Sequence, residues 1–364
     1  MSHQLAYFIT PHGYGHAARA SALMAALLKI DDSLRFHIYT TVPQWFFEHT
    51  LAGHFDYHYY ETDVGVVQSN ALAEDLDATV RKLDEMLPFC TDCIGTLMHG
   101  MRQNRVKLVL CDIAPMGIAV AQALGLPSVL VENFTWDWIY AGYVGQTPEL
   151  ARHILYLKKV FAETDYLIQT EPLCEPRHAN LTVPPMSRAP RHTRAETRTA
   201  LGIPADAPAV LLTMGGIHWD YTFLRELQSQ PDVFFIIPGG VDDGLERRDN
   251  LVLLPHSSPF FHPDLINASD AVVGKVGYST LAEVYHAKVP YGYVTRSNFA
   301  ESAVLENFVA QRMVGIPIAP AEFESGAWVA KVPQLLSLPK PNHTEPNGAD
   351  TAAAFVMDVM RGDA

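Results

Sequence analysis

Short apolar runs rich in Val, Ile, Leu and aromatic residues recur along the chain, most of them followed by a segment with helical spacing. LAYFIT leads through a glycine-rich turn into a helix over residues 17–29, and RFHIYTT follows as a strand. A long, partly helical region then runs to about residue 103. VKLVLCD reads as a strand, PMGIAVAQALG as a helix and PSVLVEN as the next strand; TPELARHILYLKKVFAET is helical and DYLIQT a strand again. A stretch containing Pro and Arg, residues 183–194, breaks the rhythm and is the expected linker. The pattern restarts with AVLLTMGG, a helical region containing DYTFLRELQSQ, VFFIIPGG, NLVLLP, a short helix, DAVVGK, a helix from about Ser279, and VPYGYVT. Residues 350–360 are expected to form a last helix that folds back toward the first domain. Strands alternating with helices predict an α/β fold of parallel, doubly wound sheets. The architecture expected is two Rossmann-like domains, residues 1–190 and 191–364, facing each other across a cleft, with chemistry at the carboxyl ends of the strands.

Composition narrows the function. At 364 residues and 48% hydrophobic, the chain is long enough for two cores and too apolar to be disordered. It carries 26 Lys+Arg against 40 Asp+Glu, which argues against nucleic acid and against docking on anionic lipid. Each side of residue 190 holds 13 basic and 20 acidic residues, so the acidity is spread over two similar halves. An anionic substrate must therefore be held by local donors. The four cysteines, Cys90, Cys93, Cys111 and Cys174, are too few for a disulfide scaffold. Cys90 and Cys93 form C-x-x-C in a helical-looking stretch with no second pair nearby, and are expected to be packed thiols rather than a zinc or redox site. The sixteen histidines are scattered, and no metal site is expected. The N-terminus lacks a basic region followed by an apolar core, and the richest apolar stretch, residues 106–131, is cut by Asp112, Pro115 and Gln122. A soluble cytoplasmic protein without stable membrane insertion, acting on small molecules, is the expectation. Nothing in the sequence sets an oligomeric state.

Three strand-end loops carry candidate chemistry. The first is Pro11-His12-Gly13-Tyr14-Gly15-His16-Ala17-Ala18-Arg19. Gly13 and Gly15 permit close backbone approach before a helix, but no third glycine follows at dinucleotide spacing. A structural turn with a capping histidine is one reading. His16 at the mouth of the first strand, with Asp112 ending VKLVLCD, is also placed to form a His–Asp dyad that takes a proton from a hydroxyl or water. An Asp in that position serves equally as a helix cap. The second loop, Thr213-Met214-Gly215-Gly216, either lets amides approach a phosphate or simply ends a strand.

The third, DAVVGKVGYSTLAE, is the strongest local signal. Gly277 turns, Ser279 or Thr280 caps a helix, Lys275 adds charge for a diphosphate, and Glu283 lies one turn inside to accept from ribose hydroxyls. A capping box of Thr280 with Glu283 explains those two residues without a ligand, but not the two glycines and the lysine. Asn133-Phe-Thr-Trp-Asp-Trp-Ile-Tyr140 surrounds Asp137 with aromatics, including Trp136. That composition suits a sugar ring or an aromatic core cluster. Arg296-Ser-Asn-Phe-Ala-Glu301 follows VPYGYVT, where a donor sugar is expected.

Together HGYGHAAR, NFTWDWIYAGYV, the TMGG turn, GKVGYSTLAE and KVPYGYVTRSNFAE run in order over nearly the whole chain. In this the chain resembles a GT-B glycosyltransferase of the group that includes the bacterial enzyme adding GlcNAc to the lipid-linked peptidoglycan precursor. The resemblance is strongest to the N-terminal, glycosyltransferase-like region of plant arabinokinases, and a stand-alone form without a kinase region is expected. It implies a nucleotide diphosphate sugar bound mainly by the second domain, with Gly277, Ser279 and Thr280 at the diphosphate and Glu283 at the ribose. It also implies that the loop of Gly13, Gly15 and His16 faces the donor from the other side. In related enzymes this histidine acts as a base or contacts the diphosphate or the sugar. Peptidoglycan-type enzymes have a Gln-Asn pair on the donor hydroxyls where this chain has Asn298 and Glu301, which leaves the sugar open and makes Glu301 a donor-sugar candidate.

A basic, apolar membrane-facing patch is not evident, so a soluble acceptor is expected. The expected activity is metal-independent, inverting transfer of a sugar from a nucleotide diphosphate sugar, with a UDP-sugar favoured, to a hydroxyl, with no cofactor beyond the substrates. A nucleotide-sugar hydrolase using water in the same cleft, and a nucleotide-sugar-binding protein without turnover, are the alternatives.

Overall fold

The computed structural model describes residues 3–70, 73–215, 219–295 and 299–364. The chain divides into one unit of Met1–Ser187 with Glu345–Ala364 and a second unit of Arg188–Thr344. The first unit holds β1 (Gln4–Ile9), β2 (Arg35–Thr40), β3 (Phe55–Tyr59), a short antiparallel pair β4 (Gln68–Asn70) and β5 (Ala73–Glu74), then β6 (Val106–Asp112), β7 (Ser128–Glu132), β8 (Tyr166–Thr170) and β9 (Leu181–Val183). All but β4 and β5 form one parallel sheet in the order β3-β2-β1-β6-β7-β8-β9. Leu5 to Ile9 of β1 are buried on both faces, which is why the central strands read as unbroken apolar runs. The strand order reverses between β1 and β6, the place where ligands bind in open α/β sheets.

The helix Gly15–Ile30 crosses from β1 to β2 and is buried along most of its length. The helix Gly348–Arg361 packs on it, with Ala352, Ala353 and Val356 in the same apolar core. Gly348 is required there, because a Cβ would overlap the Pro184 carbonyl oxygen.

The second unit repeats the plan with β10 (Ala209–Thr213), β11 (Phe234–Val241), β12 (Glu246–Arg248), β13 (Leu251–Pro255), β14 (Ala271–Lys275), β15 (Tyr291–Val294) and β16 (Gly315–Ile318). The order is β12-β13-β11-β10-β14-β15-β16, reversing between β10 and β14. Every pairing is parallel except that of the exposed, charged edge strand β12. Gly274 lies against β10 so closely that a side chain would strike the Thr213 carbonyl.

Several expectations are corrected. The helix expected from Ser279 runs Tyr278–Ala287, with Gly277 as its N-cap and no side-chain cap, so neither Ser279 nor Thr280 caps it and no capping box with Glu283 forms. Within DYTFLRELQSQ only Leu224–Gln228 is helical. The stretch expected as a linker does hold the boundary between the units, at Ser187 and Arg188, and is anchored on each side: Thr170 donates to the Pro184 carbonyl in the first unit, and Arg191 and His192 bind Asp264 in the second. Cys90 and Cys93 are joined in a disulfide, not packed as free thiols. Cys90 is the N-cap of the helix Thr91–Gln103, where three-residue spacing puts both cysteines on one face with Cα atoms 5.3 Å apart.

Candidate active site

In the first unit β1 and β6 end side by side, with Ile9 paired to Asp112. Gly13, at φ +72°, makes the left-handed turn that leads into the helix carrying Gly15, His16 and, one turn later, Arg19. His16 Nδ1 lies 2.9 Å from Asp112 Oδ1. Arg19 clamps the same carboxylate, Nε to Oδ2 at 2.8 Å and Nη2 to Oδ1 at 2.6 Å, and its Nη1 donates to Asn133 Oδ1 at 2.7 Å. All four side chains are buried. A carboxylate only accepts, so the network assigns the Nδ1 proton of His16 to the Asp112 bond and leaves Nε2 with its lone pair. Arg19 Nη2, 3.3 Å from the same Nδ1, donates to it only if the ring gives that proton up. Burial pushes Asp112 toward protonation, but the Arg19 guanidinium and the His16 bond outweigh it and hold the carboxyl below its ordinary value. The expected His–Asp dyad is thus a triad with Arg19. The Asp112 carboxylate is paired with the Arg19 charge and bonded to one edge of the His16 ring.

A second carboxyl lies in this shell. Thr10 donates to Asp63 Oδ1 at 2.7 Å. Asp63 Oδ2 has no hydrogen-bond partner among the described residues, and the Trp136 indole N–H faces the carboxyl without completing a bond. Burial pushes Asp63 up to about 8, against the pull of Thr10 and Trp136. Trp136 itself is buried under His12, Phe134 and Tyr140, so it offers no open face for a sugar. Asp137 is buried in the first turn of the helix Trp136–Ala141, with Oδ1 unpartnered among the described residues.

The second unit brings Thr213, Gly215, Lys275 and the start of the helix Tyr278–Ala287 to the ends of β10 and β14. Gly215 sits at φ +71°, and a side chain there would meet Lys275 Cε at 3.6 Å. The amides of Tyr278, Ser279 and Thr280 belong to the first turn behind Gly277, the turn whose N–H groups point out of a helix N-terminus. Glu283 does not stand open as expected. Its Oε1 accepts from Arg188 Nε at 2.9 Å and is ion-paired with Nη2 at 2.9 Å, and its Oε2 accepts from His262 Nδ1 at 2.7 Å. His262 Nε2 lies 3.2 Å from the Thr213 hydroxyl. Burial raises Glu283, but Arg188 and His262 outweigh it and keep the carboxyl low.

Arg188 and His262 were invisible to motif reading, because each meets Glu283 only through the fold. Glu301 is buried in the first turn of the helix Ala300–Arg312. Gly216 and Asn298 lie outside the described residues. Among the described residues, no group of three or more His, Cys, Asp or Glu is placed to hold a metal ion, and no helix is long and apolar enough to cross a membrane.

No family model matches the chain. It is 28% identical to L-arabinokinase of Arabidopsis thaliana over 363 residues, which is 98% of this chain and 34% of that protein. The chain thus spans about a third of that relative. It is 26% identical over 278 residues to an uncharacterised glycosyltransferase of Methanopyrus kandleri, covering 71% of this chain and 78% of that one. Among solved structures, a kitacinnamycin glycotransferase superposes with a TM-score of 0.63 at 15% identity, covering 99% of this chain and 100% of its own. The chain has the GT-B fold of the glycosyltransferases. A second GT-B neighbour, a UDP-glucose:anthocyanidin 3-O-glucosyltransferase in complex with UDP, has a TM-score of 0.60 at 10% identity, covering 100% of this chain and 95% of that one. Within this GT-B chain, the first unit supplies an oriented imidazole at its switch point, and the second supplies a glycine turn, a lysine and a helix N-terminus at its own.

Proposed function

We propose that the protein moves a sugar from a nucleoside diphosphate sugar, a UDP-sugar in the favoured case, to a hydroxyl of a small acceptor, without a metal ion and with inversion. The observation that carries this reading is His16, buried at the end of β1 with Nδ1–H committed to Asp112 and Nε2 left as a base. In the reaction, Nε2 takes the acceptor hydroxyl proton as the oxygen bonds to the anomeric carbon, and the bond from that carbon to the diphosphate oxygen breaks. Negative charge then builds on the departing nucleoside diphosphate. Lys275, the Gly215 turn and the first-turn amides behind Gly277 stabilise it, in the place a metal ion takes elsewhere. The GT-B neighbour that holds UDP supports a uridine donor.

The test is release of nucleoside diphosphate from UDP-, dTDP- and GDP-sugars with and without acceptor alcohols. Release that requires an acceptor is expected. Equal release in water alone makes the protein a nucleotide-sugar hydrolase, and binding without release under any condition removes catalysis altogether.

A further inference from the structure

Among the described residues the chain carries one disulfide, and its position is a poor one for a cross-link. Cys90 and Cys93 are three residues apart, at the N-terminus of the helix Thr91–Gln103. A bond over so short a span closes almost no loop in the unfolded chain, so it adds less stability than one joining distant segments. A unit with an apolar core of this size needs no such staple.

The pair is better placed for chemistry. Cys90 is exposed and Cys93 half-buried, whereas Cys111 is fully buried. The Cys93 amide donates to Cys90 Sγ at 3.0 Å. Once the disulfide opens, that amide and the rest of the first turn favour a thiolate on Cys90. Asp92 in the same turn and Glu85 on the helix Leu76–Met86 oppose it, but both are exposed and screened by solvent. A cavity of about 370 Å³ lies beside both sulfurs, a volume within the range of small-molecule sites. Val64, Met86, Phe89 and Met116 give it an apolar wall. Lys82 also lines it, ion-paired with Glu61 at 3.7 Å.

We propose that Cys90 and Cys93 form a thiol–disulfide exchange site for a small thiol of the glutathione class, in which Cys90 carries the partner and Cys93 resolves it. The proposal is independent of the sugar-transfer reading. The partner's thiolate attacks the exposed Cys90 Sγ, the bond between the two cysteines breaks, and Cys93 leaves as a thiolate that takes up a proton. The partner is then joined to Cys90 with its body in the cavity, where Lys82 supplies a cation for its carboxylates. A second thiol attacks the partner's sulfur, and Cys90 leaves as the thiolate that the Cys93 amide stabilises. Two small thiols are thereby oxidised to one small disulfide, and the protein disulfide is reduced to two thiols. In reverse, the small disulfide loads Cys90 and Cys93 expels it.

The test uses the whole chain and glutathione. Reduced wild type, Cys90→Ser and Cys93→Ser are mixed with oxidised glutathione at neutral pH, quenched in acid and mapped by peptide mass spectrometry, with circular dichroism as the fold control. Cys93→Ser is expected to accumulate a mixed disulfide at Cys90, and Cys90→Ser to load Cys93 about 10-fold more slowly. The wild type is expected to end as the Cys90–Cys93 disulfide, which reduced glutathione reopens. Iodoacetamide labelling of the reduced wild type across pH reads the Cys90 thiol directly, with a midpoint expected clearly below the ordinary value of about 8.5. If a serine variant does not fold, brief exposure of the wild type followed by acid trapping locates the same adduct.

Faster loading of Cys93 than of Cys90 overturns the proposal, as does a Cys90 midpoint at the ordinary value. Loading of Cys90 no faster than that of Cys174 overturns it too. A disulfide that dithiothreitol opens and glutathione does not is a structural cross-link, and removes the exchange site.

Discussion

The Asp112 carboxylate answers to two partners, and their energetics differ. Arg19 meets it through two short hydrogen bonds with both side chains buried, whereas His16 meets it through one. Removing one member of a buried ion pair costs about 3–5 kcal/mol, because the other charge stays in the interior. Asp112→Ala is therefore expected to lose stability on that scale, with activity falling for mixed reasons. His16→Ala leaves the Arg19–Asp112 pair intact and is expected to lose turnover with a much smaller stability change. Denaturant unfolding beside a turnover assay separates the two, and unchanged turnover in His16→Ala removes the proposed base.

Asp63 makes a different prediction, with a definite sign. Its folded value of about 8 lies far above that of an unfolded Asp, so the stability it contributes is complete at acid pH and is lost as pH rises toward 8. The loss approaches about 1.4 kcal/mol for each pH unit between roughly 4 and 8. Asp63→Asn keeps an acceptor for Thr10 and cannot ionise. Its unfolding free energy is expected to exceed that of the wild type by a margin that widens from pH 5 to pH 8. Parallel curves for the two proteins would show that Asp63 is charged throughout.

At the scale of elements, helix N-termini decide much of what the site is. The helix Tyr278–Ala287 starts on Gly277 without a side-chain cap, which places its first turn, not a capping side chain, at the end of β14. The helix Thr91–Gln103 instead starts on Cys90, whose Sγ accepts from the Cys93 amide at 3.0 Å while bonded to the Cys93 sulfur. Thiol titration of the oxidised protein in denaturant is expected to find two thiols, those of Cys111 and Cys174, and four after reduction. Four thiols without reductant would show the pair to be open.

The same contrast sets what could be read in advance. β1, β6, β10 and β14 were legible, because strands buried on both faces are long apolar runs bounded by turn residues. β12 was not: its Glu-Arg-Arg sequence pairs only at an exposed edge. His16 and Asp112 were legible because each marks a strand end. Arg19 stood in the same loop without a reason to single it out until the fold brought Asp112 and Asn133 to it. Asp63 lies in a loop with no local pattern, and its partners Thr10 and Trp136 come from distant parts of the chain.

At the scale of the whole molecule, the chain completes its first unit only after it has built the second. Glu345–Ala364 belongs with Met1–Ser187, and the tie is specific. Asn347 accepts from the Ser187 amide and donates to its carbonyl, and Gly348 packs against Pro184. The helix Gly348–Arg361 then covers the helix Gly15–Ile30. Val356 and Val359 are buried there, and each fully buried aliphatic side chain contributes about 1.5–3 kcal/mol. Truncation after Thr344 is therefore expected to cost the first unit several kcal/mol while leaving the contacts inside the second unchanged. The helix it uncovers carries His16 and Arg19, so the loss extends to the proposed base. Hydrogen exchange reads both units in one experiment: amides of β1 and β6 should lose protection on truncation, and those of β10 and β14 should keep it. Equal loss in both would mean that the C-terminal helix stabilises the molecule through something other than this core. Full retention in β1 would mean that the first unit closes its core without it.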